Sequence, residues 1–183
     1  MSFIQQAVET LRQGGIIAYP TEAVFGLGCD PWHKDTVLQL LKLKNRSLEK
    51  GLILISDSWD KLEQLVEPIE KTRLEEILVT WPGPYTWIFP ARLDLVPTWI
   101  RGSHMTVALR VTDQPIAKEV CRLYGKPIVS TSANREGEAP MRSAAEIQKA
   151  FPTGVDFILE GSVGTLSQPT LIRDALTGNF VRT

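Results

Sequence analysis

The sequence is poor in the residues that build metal centres and disulfide frameworks. It holds two histidines and two cysteines in 183 residues. His33 and His104 lie far apart, with no partner at ligand spacing, so no protein-borne metal site is expected. Cys29 and Cys121 form no CxxC pair, and both read as reduced packing residues. Long apolar runs are also missing. Ile16 to Tyr19 and Leu52 to Ile55 each stop after four residues, whereas a helix that crosses a bilayer needs about 20. The opening Met1-Ser2-Phe3-Ile4-Gln5-Gln6 has neither a basic nor an apolar signal region, and a cytosolic protein with no membrane contact is expected. No sign of charge dominates: 20 basic and 21 acidic residues leave a net charge of -1. The chain is therefore no polycation that would coat nucleic acid, and an anion site must be a local cluster. There is no GxxxxGK[ST] phosphate loop and no GxSxG elbow, and Gly26-Leu27-Gly28 lacks the third glycine of a dinucleotide fingerprint.

What is present is a regular alternation of short apolar runs and helical patterns, without repeats or a linker, which predicts one domain over residues 1–183. Ser2 with Gln5 forms a capping box for a first helix that stops at Gly14-Gly15. Ile16 to Tyr19 reads as a strand that ends at Pro20. A second helix is expected with Asp35 as its cap, then a strand at Leu52 to Ile55, and helices at about Ser58 to Leu65 and Pro68 to Val79. Trp81-Pro82-Gly83-Pro84 forces a turn. Strands follow at Tyr85 to Phe89, Thr106 to Val111, Pro127 to Thr131, Asp156 to Leu159, Thr170 to Arg173 and Asn179 to Val181. Helices are expected at Pro115 to Tyr124 and after the capping box of Ser143 with Glu146. The elements interleave without a strict βαβ rhythm. The predicted class is therefore α/β in the mixed, α+β sense: a mixed sheet flanked by helices, with function on the loops at strand ends.

Four segments could carry chemistry, and each has a plain structural explanation beside the functional one. The cations of Lys42-Leu43-Lys44-Asn45-Arg46-Ser47-Leu48-Glu49-Lys50 can simply offset a helix dipole. Arg46 and Lys50, however, lie beyond the reach of that effect and suit a polyphosphate. Ser130-Thr131-Ser132-Ala133-Asn134 follows an apolar strand and is either a polar turn or a dense set of small donors and acceptors for a ligand. Tyr19-Pro20-Thr21-Glu22 also follows a strand. Arg110, after Val107-Ala108-Leu109, is either a core residue in an ion pair or the reader of a carboxylate in a cleft.

Taken in order, these segments resemble the YrdC/TsaC-type threonylcarbamoyl-AMP synthase family. Tyr19-Pro20-Thr21-Glu22 is similar to its YPTE segment, Lys44-Asn45-Arg46 to KxR, and Trp81-Pro82-Gly83-Pro84-Tyr85-Thr86 to WPGPxT. Ala108-Leu109-Arg110-Val111 is similar to its arginine strand, and Ser130 to Asn134 to STSAN. Each string is weak alone; five in the family's order make the resemblance specific. It implies a twisted mixed sheet with a deep, positively charged groove, and an enzyme that makes L-threonylcarbamoyladenylate and pyrophosphate from L-threonine, bicarbonate and ATP. It implies Lys44, Arg46, Ser132 and Asn134 as the catalytic group on the nucleotide phosphates, with Lys50, Thr106 and Arg182 also on ATP. Thr21, Arg110 and Ser130 would hold threonine. Mg²⁺ would travel with ATP, and the product would serve a tRNA threonylcarbamoyl transferase complex that modifies the adenosine 3′ of the anticodon. Two departures stand out: Ser47 to Gly51 lacks the prolines many members carry, which predicts a more mobile loop, and Ser167 and Thr170 match the family's Ser-Thr pair only loosely. The reading of another class is a non-catalytic module that binds double-stranded RNA or tRNA through the same basic loop. Against it stand the balanced charge and the lack of an aromatic stacking platform.

Overall fold

Capped helices and short strands assemble into one mixed sheet in a computed structural model. It describes residues 1–166 and 170–182, the last of these by its backbone alone. The helices are α1 Phe3–Arg12, α2 Lys34–Leu43, α3 Lys71–Leu78, α4 Thr98–Arg101, α5 Pro115–Tyr124 and α6 Ala144–Ala150. The strands are β1 Ile17–Pro20, β2 Phe25–Gly28, β3 Ile53–Ser56, β4 Tyr85–Pro90, β5 Thr106–Val111, β6 Ile128–Ser132, β7 Phe157–Ile158, β8 Leu171–Asp174 and β9 Phe180–Arg182. Among the described residues, no helix is long and apolar enough to cross a membrane.

Both capping boxes form. Ser2 Oγ accepts from Gln5 N at 3.2 Å while Gln5 Oε1 accepts from Ser2 N at 2.8 Å, and Ser143 with Glu146 repeats the exchange. Elsewhere the chain departs from the sequence expectation. His33, not Asp35, caps α2, and Asp35 falls in the first turn, where its carboxylate meets the helix dipole. Residues 58–65 form two 3-10 turns, Trp59–Lys61 and Glu63–Leu65, in place of a helix. The bonds Leu62 N to Trp59 O and Leu65 N to Leu62 O close over three residues, and Leu62 and Leu65 are both buried. Helix α3 starts at Lys71, later than expected, because the Glu70 carboxylate caps it by accepting from Thr72 N and Arg73 N. The strand β2 and the short α4 carried no clear pattern in sequence. Two glycines in Phe25–Gly28 hide the strand, which forms because it has antiparallel neighbours on both sides.

The sheet runs β7-β1-β2-β6-β3-β5-β4-β8-β9. The pairs β1/β7, β3/β5 and β4/β8 are parallel and the rest antiparallel, so the mixed sheet is as expected. Alternation along the strands separates two faces. Ala18, Phe25, Leu27, Leu54, Trp87, Phe89, Val107, Leu109, Val111 and Val129 enter the larger core, together with Val37, Leu40 and Leu41 of α2, Ile77 of α3, Ile100 of α4 and Ile147 of α6. On the other face, Ile17, Tyr19, Ile55 and Ile128 pack in a smaller core with Ala7, Val8 and Leu11 of α1 and Ala117, Val120 and Cys121 of α5. Cys29 and Cys121 are free and buried, one in each core. The two helices cover part of this face. Beyond them its inward positions are Gly26, Ile53, Ile88, Thr106, Ala108, Arg110, Ser130 and Ser132, and these line a cavity.

Tyr19 bridges the covered and open parts, with its hydroxyl donating to Val129 O at 3.0 Å. It passes over Gly28, where a Cβ would lie 2.4 Å from Val129 O and 2.8 Å from the Tyr19 ring. Neither group has a flexible end that could yield. Gly28→Ala should therefore cost about 1–3 kcal/mol of stability, seen as a lower urea midpoint at unchanged slope. An unchanged midpoint would show that β2 stands further from β6 and Tyr19 than described.

Candidate active site

The basic loop owes its geometry to the end of α2. Asn45 takes a left-handed φ of 52°, and the bonds Asn45 N to Lys42 O at 3.0 Å and Arg46 N to Leu41 O at 2.9 Å close a Schellman turn. Asparagine tolerates this conformation at little cost, whereas most residues lose roughly 1–2 kcal/mol in it. The chain is turned so that Lys44 is buried while Arg46 reaches the cavity. Ser47 then caps a 3-10 turn at Leu48–Lys50. This turn lies against residues 101–103. Ser103 N donates to Glu49 O, and Gly102, at φ 65°, leaves no room for a Cβ, which would meet Glu49 O at 2.3 Å.

The cavity measures about 600 Å³, within the roughly 300–1,000 Å³ range of small-molecule sites. Strand β5 runs along it and presents Thr106, Ala108 and Arg110 in turn. Two-residue steps along a strand place Thr106 and Arg110 about 13 Å apart. One end of the cavity is built around Arg110. Its Nη1 donates to Thr170 Oγ1 at 2.8 Å and to Thr86 Oγ1 at 3.4 Å, and its Nη2 lies 3.5 Å from Glu22 Oε2. Thr21 and Ser130 stand beside it on the wall. Thr21 is oriented by its hydroxyl, which donates to Val24 O at 2.7 Å.

The other end carries Arg46, Lys50, Arg101, Thr106, Ser132 and Asn134, with Glu138 as its acidic member. Arg46 Nη2 donates to Gly51 O at 2.9 Å, and Arg101 Nη1 to His104 O at 2.7 Å. Lys50 pairs with Glu136, which joins the loops on either side of the cavity; this contact holds the Glu136 carboxyl below the usual range. Ser132 Oγ donates to Asn134 Oδ1 at 2.6 Å, and Asn134 Nδ2 donates to Arg135 O and Glu138 O at 2.9 Å each. Lys44 stands behind this wall. Its ammonium donates to Ser132 O and, at 2.7 Å, to Asn134 O, which ties the end of β6 to α2. Burial, together with repulsion from Arg46 and against the pull of Glu136, lowers its pKa to about 8.

A family model described as "Telomere recombination", Sua5/YciO/YrdC, matches residues 9–182. The chain belongs to the Sua5/YciO/YrdC family. Among its relatives is a threonylcarbamoyl-AMP synthase of Coxiella burnetii, 51% identical over 179 residues that cover 98% of this chain and 96% of that protein. The P. abyssi Sua5 in complex with L-threonine is 30% identical with a TM-score of 0.87, covering 93% of this chain and 50% of the other. The chain thus spans about half the length of that Sua5. E. coli YciO, at 26% identity, superimposes with a TM-score of 0.84 over 97% of this chain and 86% of its own.

In this Sua5/YciO/YrdC chain, Thr21, Arg46, Lys50, Thr106, Arg110, Ser130, Ser132 and Asn134 all line this cavity, although they come from four separate segments. Lys44 reaches the wall's backbone from behind and is not itself on the wall. Arg182 pairs with Ile172 through its backbone in β9, and its side chain lies outside the described residues, as does Ser167. Arg110 is in an ion pair, as one of its two sequence readings had it, and it also faces the cleft. Sequence reasoning gave no site role to Arg101, His104 or Glu138, and it quoted the supporting Glu22 and Thr86 only inside their motifs. Gly102 was the one signal available for the first two, since a glycine after Trp99-Ile100-Arg101 marks a turn.

The Lys44 ammonium can be tested through its linkage to folding. Its folded pKa, about 8, lies below the ordinary value of 10.5, so between these two pH values the unfolded chain binds more protons and stability rises with pH. The stability of the wild type relative to Lys44→Met, measured by urea unfolding, should therefore increase across that window. A flat difference would show that this ammonium is not desolvated.

Proposed function

We propose that the chain is an ATP-dependent threonylcarbamoyl-AMP synthase, a nucleotidyltransferase that makes L-threonylcarbamoyladenylate and pyrophosphate from L-threonine, bicarbonate and ATP. The observation that carries the reading is a single cavity with two unlike ends: a buried guanidinium among hydroxyls at one, and Arg46 and Lys50 beside Ser132 and Asn134 at the other. The first end suits the carboxylate of an amino acid, held by Arg110 with Thr21 and Ser130. The second suits a triphosphate, with Arg46, Lys50, Ser132 and Asn134 on the phosphates, Lys44 joined to the last two and Thr106 assisting them, while Arg182 is assigned to ATP by the family resemblance alone. The relatives named as synthases favour this over the RNA-binding alternative.

The chemistry follows from alignment. The neutral amine of threonine adds to bicarbonate with loss of water, giving an N-carboxylate. One of its oxygens then attacks the α-phosphorus of ATP as pyrophosphate leaves. Such a displacement is promoted chiefly by positioning and by cations that meet the developing charge, which is what the basic end supplies. Among the described residues, no group of three or more His, Cys, Asp or Glu side chains is placed to hold a metal ion. Mg²⁺ is assigned to the phosphate chain of ATP, whose hard oxygens are the donors this cation takes. Transfer of the product to tRNA falls to a separate transferase.

Purified protein with Mg²⁺ and ATP should release pyrophosphate only when both threonine and bicarbonate are present, as followed by a coupled pyrophosphate assay. Release that ignores threonine would overturn the reading. Arg46→Ala removes a charge-assisted contact of roughly 1.5–3 kcal/mol and should lower kcat/KM for ATP about tenfold to a hundredfold. Unchanged kinetics in a folded variant would place Arg46 outside the site.

A further inference from the structure

The ion pair behind the amino-acid end has no role in the mechanism above. Glu22 follows β1, and its carboxylate is hydrogen-bonded through one oxygen while the other faces Arg110. Oε1 accepts from Thr112 Oγ1 at 2.7 Å and from Asp113 N at 3.3 Å, and Oε2 faces Arg110 Nη2 at 3.5 Å. The side chains of Glu22 and Arg110 are 10% and 5% exposed. The backbone is held as well: Leu166 N donates to Glu22 O, Gly164 N donates to Thr21 O, and a Cβ on Gly164 would lie 2.4 Å from Glu22 O. Arg110 is on the cavity wall, whereas Glu22 is not. Thr21, Thr86, Ser130 and Thr170, the other groups around Arg110, carry no charge, and burial keeps the Tyr19 phenol beneath them neutral by raising its pKa.

We propose that Glu22 is a specificity-determining residue: by cancelling the charge of Arg110 it makes this end of the cavity neutral, so that it accepts a zwitterionic α-amino acid and rejects a bare carboxylate. The inference rests on the functional reading above, in which Arg110 binds the carboxylate of the substrate. An arginine alone would attract any carboxylate. With Glu22 fixed behind it, in an interior where charges are poorly screened, a second carboxylate meets repulsion as well as attraction. A zwitterion brings its own compensating ammonium, and a bare carboxylate does not. The residue would thus select for the amine, the group that must react with bicarbonate, without touching the substrate. It acts through charge rather than contact, unlike Thr21 or Ser130.

The test is calorimetric titration of the full chain with L-threonine and with 3-hydroxybutyrate, which is threonine without its amino group. Glu22→Gln keeps the length of the side chain and an oxygen for Thr112 and Asp113 but removes the charge. The preference for threonine should fall about tenfold or more, through tighter 3-hydroxybutyrate and weaker threonine, while KM for ATP stays as in the wild type. Glu22→Asp, which keeps the charge, should retain the preference, and it decides the matter if the glutamine variant does not fold. An unchanged ratio in Glu22→Gln, with both ligands weakened together, would overturn the proposal, as would a lost ratio in a folded Glu22→Asp. A wild type that bound no threonine would overturn the functional reading, and this inference with it. A wild type that discriminates no better than Glu22→Gln would count against Glu22 alone.

Discussion

The site depends on one sheet face that helices cover only in part. Helices α1 and α5 seal the part of the face that carries Ile17, Tyr19, Ile55 and Ile128, and the open part becomes the cavity. Filling each open position with a large apolar side chain under another helix would add roughly 1.5–3 kcal/mol. The chain instead places Gly26, Ala108, Ser130 and Ser132 there. Stability comes from the opposite face, where the larger core takes in residues of strands β1 to β6 and of four helices. A molecule built this way can leave part of one face wet because the other is filled.

Charge is handled differently at the two ends of the cavity. Near Arg110 it is buried and neutralised, with every close neighbour fixed by a hydrogen bond or by sheet pairing. Near Arg46 it is more open, and its cations are shared between two loops that meet through Lys50 and Glu136. An exposed pair of this kind contributes little to stability, so it can yield to an incoming polyanion. The buried pair cannot yield at similar cost, because separating it would strand a charge in the interior. Under the proposed function the first end recognises its ligand through fixed geometry and the second through exchangeable contacts. Lys44 links them to the scaffold by holding the carbonyls at the end of β6 from α2.

How far the fold was legible depended on the strength of local signals. The reciprocal capping boxes at Ser2 and Ser143, the β-branched run of β5 and the proline that opens α5 are each strong local preferences, and their elements form where expected. The 3-10 turns at 59–65, the glycine-rich β2 and the short α4 have no such local preference. They form because neighbours already in place offer pairing or burial. The same holds for site residues. Arg46, Ser132 and Asn134 belong to dense polar segments beside apolar strands and could be singled out by type. Arg101 and Glu138 sit in unremarkable surroundings in sequence and acquire their place only from packing, as does the pairing of Glu22, itself within a motif, with Arg110.

Sequence by itself determined the alternation of elements, the mixed character of the sheet, the absence of a membrane-length apolar run and the family motifs, since each is written in spacing and composition along the chain. Tertiary structure alone decided that four distant segments share one cavity, that Lys44 stands behind its wall and not on it, and that Arg110 answers both to Glu22 and to the cleft. The physical reason is that these last facts depend on which face of the sheet a helix leaves open and on which buried charge finds a partner. Both are settled by contacts between residues as far apart as Glu22 and Thr112, which no local pattern records.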